Sequence, residues 1–296
     1  MNQKAMSQKG QKLLVTFTYY ESVSARANLK YFLKHGLHDA ADFVFIFNGD
    51  TPQGQEKAAK LIPKRNNIKI VERNNTCFDL GATGEVLKKN KMWKKYDKFI
   101  VMNASLRGPF LPHWSDSCWS DLFLAKVTDE VKLVGITANC YPRFHVQSMI
   151  WATDRIGMEL LLDPFQGLAA SVGDGWGSRE DLVGLGGCYN EYIKAIHAEI
   201  GSTSIITGAG YKVDVMMTSY HGISTPDPRT YCTSIPSHVQ DTLREGEYFG
   251  FTIHPYETIF IKTNRNINPA QIEHLSRWMG NGGYTSYEKC KATRRA

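Results

Sequence analysis

The chain is 296 residues long, 42% hydrophobic, 22% charged and 11% aromatic. That mix excludes a disordered chain, a collagen-like fibre and a coiled coil, and the length suits one large domain or two small ones. Net charge is +6 from 35 basic and 29 acidic residues, without the concentrated basic stripe of a nucleic-acid binder; the one dense cluster, Lys88, Lys89, Lys91, Lys94 and Lys95, reads as a solvated helix face.

The first half alternates strand and helix patterns. Residues 13–18 are short, apolar and β-branched, which predicts a buried strand. Ser22 or Ser24 caps a helix carrying Ala25, Leu29, Phe32 and Leu33 on one face, and Gly36 ends it. Strands are expected at 42–47, 68–72 and 98–102, with a short helix at 55–61 and another from Asp79 towards Trp93. Such alternation implies parallel βαβ units. The second half is less regular. It predicts strands at 131–136 and 145–152, then a helix capped by Thr153 that reaches Leu162. A glycine-rich stretch at 167–187 precedes helices at 189–199 and 202–207, a strand at 212–216 and a late hairpin within 246–261. Asn268-Pro269 opens a final helix. No repeat or linker divides the chain, so one α/β domain is expected, with a mixed, mainly parallel central sheet flanked by helices.

No apolar run approaches the ~18 residues of a membrane-spanning helix, and Met1-Asn2-Gln3-Lys4 leads into polar residues with no apolar signal core. The six cysteines lie far apart with no C-x-x-C pair. They are expected to be reduced, packed thiols in a soluble cytoplasmic protein.

In an open α/β sheet, ligands gather beyond the carboxyl ends of the strands. Here those ends are Thr18-Tyr19-Tyr20-Glu21, Asn48-Gly49-Asp50, the run from Arg73 to Asp79, and Asn103 to Pro109. Loops are polar in any case, but all four are rich in Asn, Asp, Arg and Tyr. An aromatic there can stack on a base, and a carboxylate or amide can read its edge or a ribose hydroxyl. The glycine-rich stretch fits neither G-x-x-x-x-G-K-[ST] nor G-x-G-x-x-G after a first strand. It reads equally as a surface loop or as a mobile acceptor loop with Trp176 as a sugar platform.

Several strings carry a resemblance. They are Arg26 to Leu37 before 42–49, Cys77-Phe78-Asp79-Leu80-Gly81-Ala82 with Gly84-Glu85-Val86-Leu87, and Tyr96 to Ile100 through Asn103-Ala104-Ser105-Leu106-Arg107-Gly108-Pro109-Phe110. His145 to Met149, Ala198 to Ser202 leading to Ala209-Gly210-Tyr211, and Pro255 to Lys262 extend it over about residues 13–263. Together they resemble a group of GT-A-type glycosyltransferases of algae, fungi and large algal viruses, distantly similar to rhamnan synthesis protein F. The resemblance implies a GT-A-like, Rossmann-like catalytic domain at 13–280, with a nucleotide-sugar half at 13–110 and an acceptor half at 111–280. Residues 1–12 and 281–296 are then a flexible N-terminal tail and a basic C-terminal tail. It implies a hexosyl- or pentosyltransferase that moves a sugar from a UDP- or GDP-linked donor to a hydroxyl of a glycan or glycoprotein. Thr18, Tyr19, Tyr20, Asp50, Arg73, Asp79, Asn103, Ser105 and Lys262 are the expected donor contacts. His145, Gln147 and Trp176 are the expected acceptor contacts.

One departure matters. The group places a metal-binding Asp-x-Asp just after the fourth strand, where this chain has Asn103-Ala104-Ser105, and no Asp-x-Asp occurs anywhere in it. No residue is therefore assigned to a metal, and Arg107, Lys262 and His254 are the cations expected to stabilise the departing diphosphate. Inversion at the sugar carbon needs a base for the acceptor proton. Glu199 holds that position in the resemblance, with Glu180, Asp181 and His145 in reserve. A catalytically silent nucleotide- or carbohydrate-binding module on the same scaffold is the alternative that the missing Asp-x-Asp leaves open.

Overall fold

Residues 11–49, 52–223, 227–236 and 239–290 are described by a computed structural model. In the first half the elements are β1 (Leu13–Tyr19), α1 (Val23–His35), β2 (Asp42–Asn48), α2 (Pro52–Ala59), β3 (Ile68–Arg73), α3 (Phe78–Lys88), β4 (Lys98–Asn103), β5 (Leu106–Arg107) and α4 (Trp119–Leu124). Then come β6 (Val131–Gly135), β7 (Ala138–Asn139), β8 (His145–Val146), β9 (Ile150–Asp154), α5 (Arg155–Leu162), α6 (Pro164–Ala169), α7 (Tyr192–Gly208) and β10 (Lys212–Val215). The chain closes with α8 (Thr218–His221), α9 (Pro228–Ser234), α10 (Pro255–Thr258), β11 (Ile261–Lys262), α11 (Pro269–Asn281) and α12 (Ser286–Lys289).

The main sheet has the order β10-β6-β9-β4-β1-β2-β3. β1 pairs in parallel with β2 and β4, β2 with β3, and β6 with β10. β9 runs antiparallel between β4 and β6. The mixed, mainly parallel sheet flanked by helices is thus the architecture. β1 is buried along its whole length, as a strand covered on both faces must be. On one side α1 packs Phe32 against Phe17 at 5.1 Å between ring centroids, and Trp119 of α4 meets Phe260 at 5.2 Å. The buried Trp119 Nε1 donates to Gly36 O at 2.8 Å, so the large ring loses no hydrogen bond on burial.

Four local expectations change. The strand at 145–152 is two short strands with a turn at 147–149, which places Ser148 outside the ladder. The two helices around Gly201 are one continuous α7: a Cβ at Gly201 would lie 2.3 Å from Val183 Cγ1, so this glycine permits close packing of the 183–185 loop and does not end a helix. Thr153 is not the cap of α5; Asp154 Oδ1 accepts from Gly157 N at 3.1 Å. The late hairpin reduces to one bridge, Tyr248 to Phe251, while β11 turns back to pair with β5.

The cysteine expectation is overturned. All six are paired, as Cys77–Cys188, Cys118–Cys290 and Cys140–Cys232, across sequence separations of 111, 172 and 92 residues. Nothing in the spacing shows this, because only the fold brings such distant positions together. Residues 282–290, placed in a tail by the sequence reading, dock on the domain: Cys290 bonds to Cys118, and the Ser286 hydroxyl donates to His35 O. Among the described residues no helix is long and apolar enough to cross a membrane.

Candidate functional site

The carboxyl ends of β1, β2 and β4 open into a cavity of about 580 Å³. Thr18 and Tyr20 reach it from the end of β1, Asn48 from β2, and Thr76, Phe78 and Asp79 from the turn into α3. Asn103 and Ser105 come from the end of β4, and Lys262 and Asn264 from β11 and the residues after it. Sequence reasoning had therefore placed six of these side chains (Thr18, Tyr20, Asp79, Asn103, Ser105 and Lys262) at one site.

Their positions follow from a chain of hydrogen bonds. Asn103 Nδ2 donates to Asp79 Oδ2 at 2.6 Å, while Asn103 Oδ1 accepts from Ser105 N at 3.1 Å and Ser105 Oγ at 2.6 Å. Asp79 Oδ1 accepts from Leu80 N at 3.0 Å, within the first turn of α3. Burial raises the Asp79 carboxyl above its ordinary range and the nearby Glu199 charge adds to this, while the Asn103 hydrogen bond and the Lys262 charge oppose them. Beneath the loop, the fully buried Asn28 of α1 donates to Ala104 O at 2.9 Å and Thr263 Oγ1 at 3.0 Å. It accepts from Arg107 Nε at 2.7 Å. Asn28 thus fastens the loop after β4 to the residues after β11.

Among the described residues, Lys262 is the one cation whose side chain lines the cavity. Among the described residues, no hydrogen bond or ion pair takes its ammonium, and burial lowers its pKa below the usual lysine value while the Glu199 charge pulls the other way. A half-buried, partly desolvated ammonium without a partner is costly unless an anion meets it.

Glu199, on α7, is not among the cavity-lining residues but lies near enough to Lys262 for the two charges to interact. Its carboxylate accepts from the Ser148 hydroxyl, and His145 Nε2 lies 3.6 Å from Oε1. His145 Nδ1 in turn meets Arg143 O at 2.9 Å. Burial alone would raise the Glu199 pKa; the His145 contact, the Lys262 charge and the Ser148 hydrogen bond overcome it and hold the carboxyl at about 2. With 23% of its side chain exposed, Glu199 keeps a route to solvent.

Other expected site residues sit elsewhere. Tyr19 is turned into the core, 5.1 Å from Phe47 between ring centroids, with its hydroxyl donating to Glu21 Oε2 at 2.7 Å. Arg73 stands behind the cavity wall, donating to Thr76 O at 2.7 Å and to Asn48 Oδ1. Arg107 is buried away from the cavity, bonded to Asn28 and to Ser276 Oγ at 2.9 Å. His254 caps α10 through Nδ1, which accepts from Tyr256 N at 3.1 Å; burial lowers its pKa. Gln147 is buried between Thr137 and Asp241. Trp176 lies in a turn held by Asp174 Oδ1, away from the cavity. Asp181 is taken by Lys194 and Ser178, and Glu180 is exposed. Asp50 lies outside the described residues. Asn28, Ser148 and Asn264 were missed, while Asn48, Thr76 and Phe78 fall in strand-end runs named above without having been singled out. Asn28 left a signal of its own, an amide among the core-facing residues of α1.

The sequence matches no family model and no curated protein. Solved structures do resemble the fold. Mouse xyloside xylosyltransferase 1 aligns with a TM-score of 0.43 at 12% identity, over 87% of this chain and 99% of that one. The galactosyltransferase LgtC, solved in complex with donor and acceptor sugar analogs, aligns at 0.45 and 11% over 90% and 95%. A mannosyltransferase from Pyrobaculum calidifontis, in complex with GDP-Man and Mn2+, aligns at 0.40 and 11% over 70% and 55%. At these scores the likenesses carry no weight for the chemistry, which rests on the side chains of the cavity.

Proposed function

We propose that the protein is a glycosyltransferase that uses a nucleoside-diphosphate sugar, UDP- or GDP-linked, and transfers a hexose or pentose to a hydroxyl of a glycan or glycoprotein. The observation that carries this reading is Lys262: a half-buried ammonium with no partner among the described residues, in a strand-end cavity that the hydrogen-bonding side chains of Asn103, Ser105 and Asn264 also line. That is a setting for a diphosphate. In the step we envisage, the acceptor oxygen attacks the anomeric carbon and its proton passes to Glu199. The bond from that carbon to the phosphate oxygen breaks, and its electron pair leaves on the nucleoside diphosphate beside Lys262. Asp79 faces the cavity where a ribose hydroxyl can donate to it. Ser148 and His145 hold Glu199 ionised and aimed; Arg107, through Asn28, holds the loop.

The residues do not fit a divalent ion. At the end of β4 stand an amide and a hydroxyl, and the Asp79 oxygen that faces them already accepts the Asn103 N–H. Hard cations call for several oxygen ligands, and the Lys262 ammonium occupies that charge role. The three disulfides favour an oxidising compartment over the cytoplasm.

The test is release of nucleoside diphosphate from a panel of UDP- and GDP-sugars, with and without glycan acceptors. Lys262→Met should lower turnover by ~10²–10³ and weaken donor binding. Tight donor binding with no turnover on any acceptor or water would instead leave a silent binding module.

A further inference from the structure

Cys77 and Phe78, at the entry to α3, both have positive φ, 69° and 49°. Two successive non-glycine residues in the left-handed region are costly and persist only where the surroundings over-determine them. Two ties do so here. The Cys77 side chain is bonded to Cys188, and Cys77 N donates to Asn190 Oδ1 at 2.9 Å.

The result is an aromatic ring that does not pack inside. Phe78 is 38% exposed and lines the cavity, its centroid 6.4 Å from the Tyr192 ring at the start of α7. Burial would gain free energy for such a ring, so the backbone holds it out against that tendency. The same cavity contains the Lys262 ammonium and the Asn103 amide. A cavity offering both a partly exposed aromatic ring and a cation suits a ligand that carries a flat ring and an anion in one molecule.

We propose that Phe78 is the face on which the nucleobase of the donor stacks, with the Cys77–Cys188 disulfide and Asn190 as the clamp that sets its position. This rests on the donor reading above and adds to it the residue that recognises the base. Because every base has a π face, the contact supplies affinity for nucleotides as a class.

Calorimetric titration separates the two ideas, using UDP and GDP as probes that carry a base and inorganic pyrophosphate as one that does not. Phe78→Ala should weaken nucleoside-diphosphate binding by about ten- to a hundredfold, by the worth of one stacked base, and leave pyrophosphate binding unchanged. Phe78→Trp should restore it. Cys188→Ser, which leaves the ring intact but removes the clamp, should weaken the nucleotides and spare pyrophosphate. Unchanged nucleotide affinity in folded Phe78→Ala, or an equal loss for pyrophosphate, overturns the stacking role while the donor reading stands. Failure of the wild-type protein to bind either nucleotide overturns the donor reading and the stacking role together.

Discussion

Replacing Glu199 by glutamine changes one atom and removes the base. The carboxyl is held at about 2 against an ordinary 4.5, and at 1.36 kcal/mol per pH unit that difference amounts to about 3 kcal/mol of folding stability. Because the folded value is depressed, this stability is present above about pH 4.5 and is lost as the pH falls through about 2. Glutamine still accepts from Ser148 but offers no charge to His145 or Lys262. Glu199→Gln should therefore lose up to ~3 kcal/mol at pH 7, roughly 5 °C in Tm for a chain of this length, and the gap should close towards pH 2. The rate should fall by ~10²–10⁴, about 3–5 kcal/mol of barrier, with donor affinity little changed. Initial rates of diphosphate release, donor titration and thermal melts at pH 7 and 3 read the three effects separately. A folded Glu199→Gln protein that transfers at near the wild-type rate refutes the base. A wild-type rate profile with a carboxyl limb near pH 5 refutes the proposed ionisation.

Lys262→Ala should weaken donor binding and lower kcat/KM by ~10²–10³, the cost of one preorganised charge contact. Burial lowers the Lys262 pKa, so the rate should decline with rising pH at a point below the ordinary lysine value of 10.5; a rate flat to pH 11 excludes Lys262 from the reaction. Activity should survive EDTA, because the residues after β4 do not suit a divalent ion. Complete loss that Mn²⁺ restores would send the search for ligands to Asp79, Asp50 and His254. Unfolding without reductant should expose no titratable thiol, and reduction should lower the Tm by several degrees or more, since each disulfide closes a loop worth about 5 kcal/mol in the chain-entropy picture. Six thiols titrating in the unreduced protein would contradict the pairing.

The sequence by itself determined the strands of the main sheet and most of what lies at their ends. Period and burial are local properties: the apolar, β-branched runs at 13–18, 42–47 and 98–102 had no other stable use, and in a parallel sheet their polar ends must share one edge. That is why Thr18, Tyr20, Asp79, Asn103 and Ser105 could be placed together before any fold was known. Tertiary structure decided what each charged group does. Arg107, His254 and Lys262 look alike as cations near matched strings, yet only Lys262 of the three lines the cavity, because β11 folds back on β5 and pairs Lys262 with Leu106 far back in the chain. Glu199 is an ordinary glutamate in a helix until the turn at 147–149 sets Ser148 and His145 against it. The disulfides were invisible for the same reason: Cys77 and Cys188 meet only once α3 and the approach to α7 are packed side by side, and that contact also forces Phe78 into the cavity. Local pattern fixes which segments become strands and helices. Which side chains face one another across hundreds of residues depends on how those segments pack, and no local pattern records it.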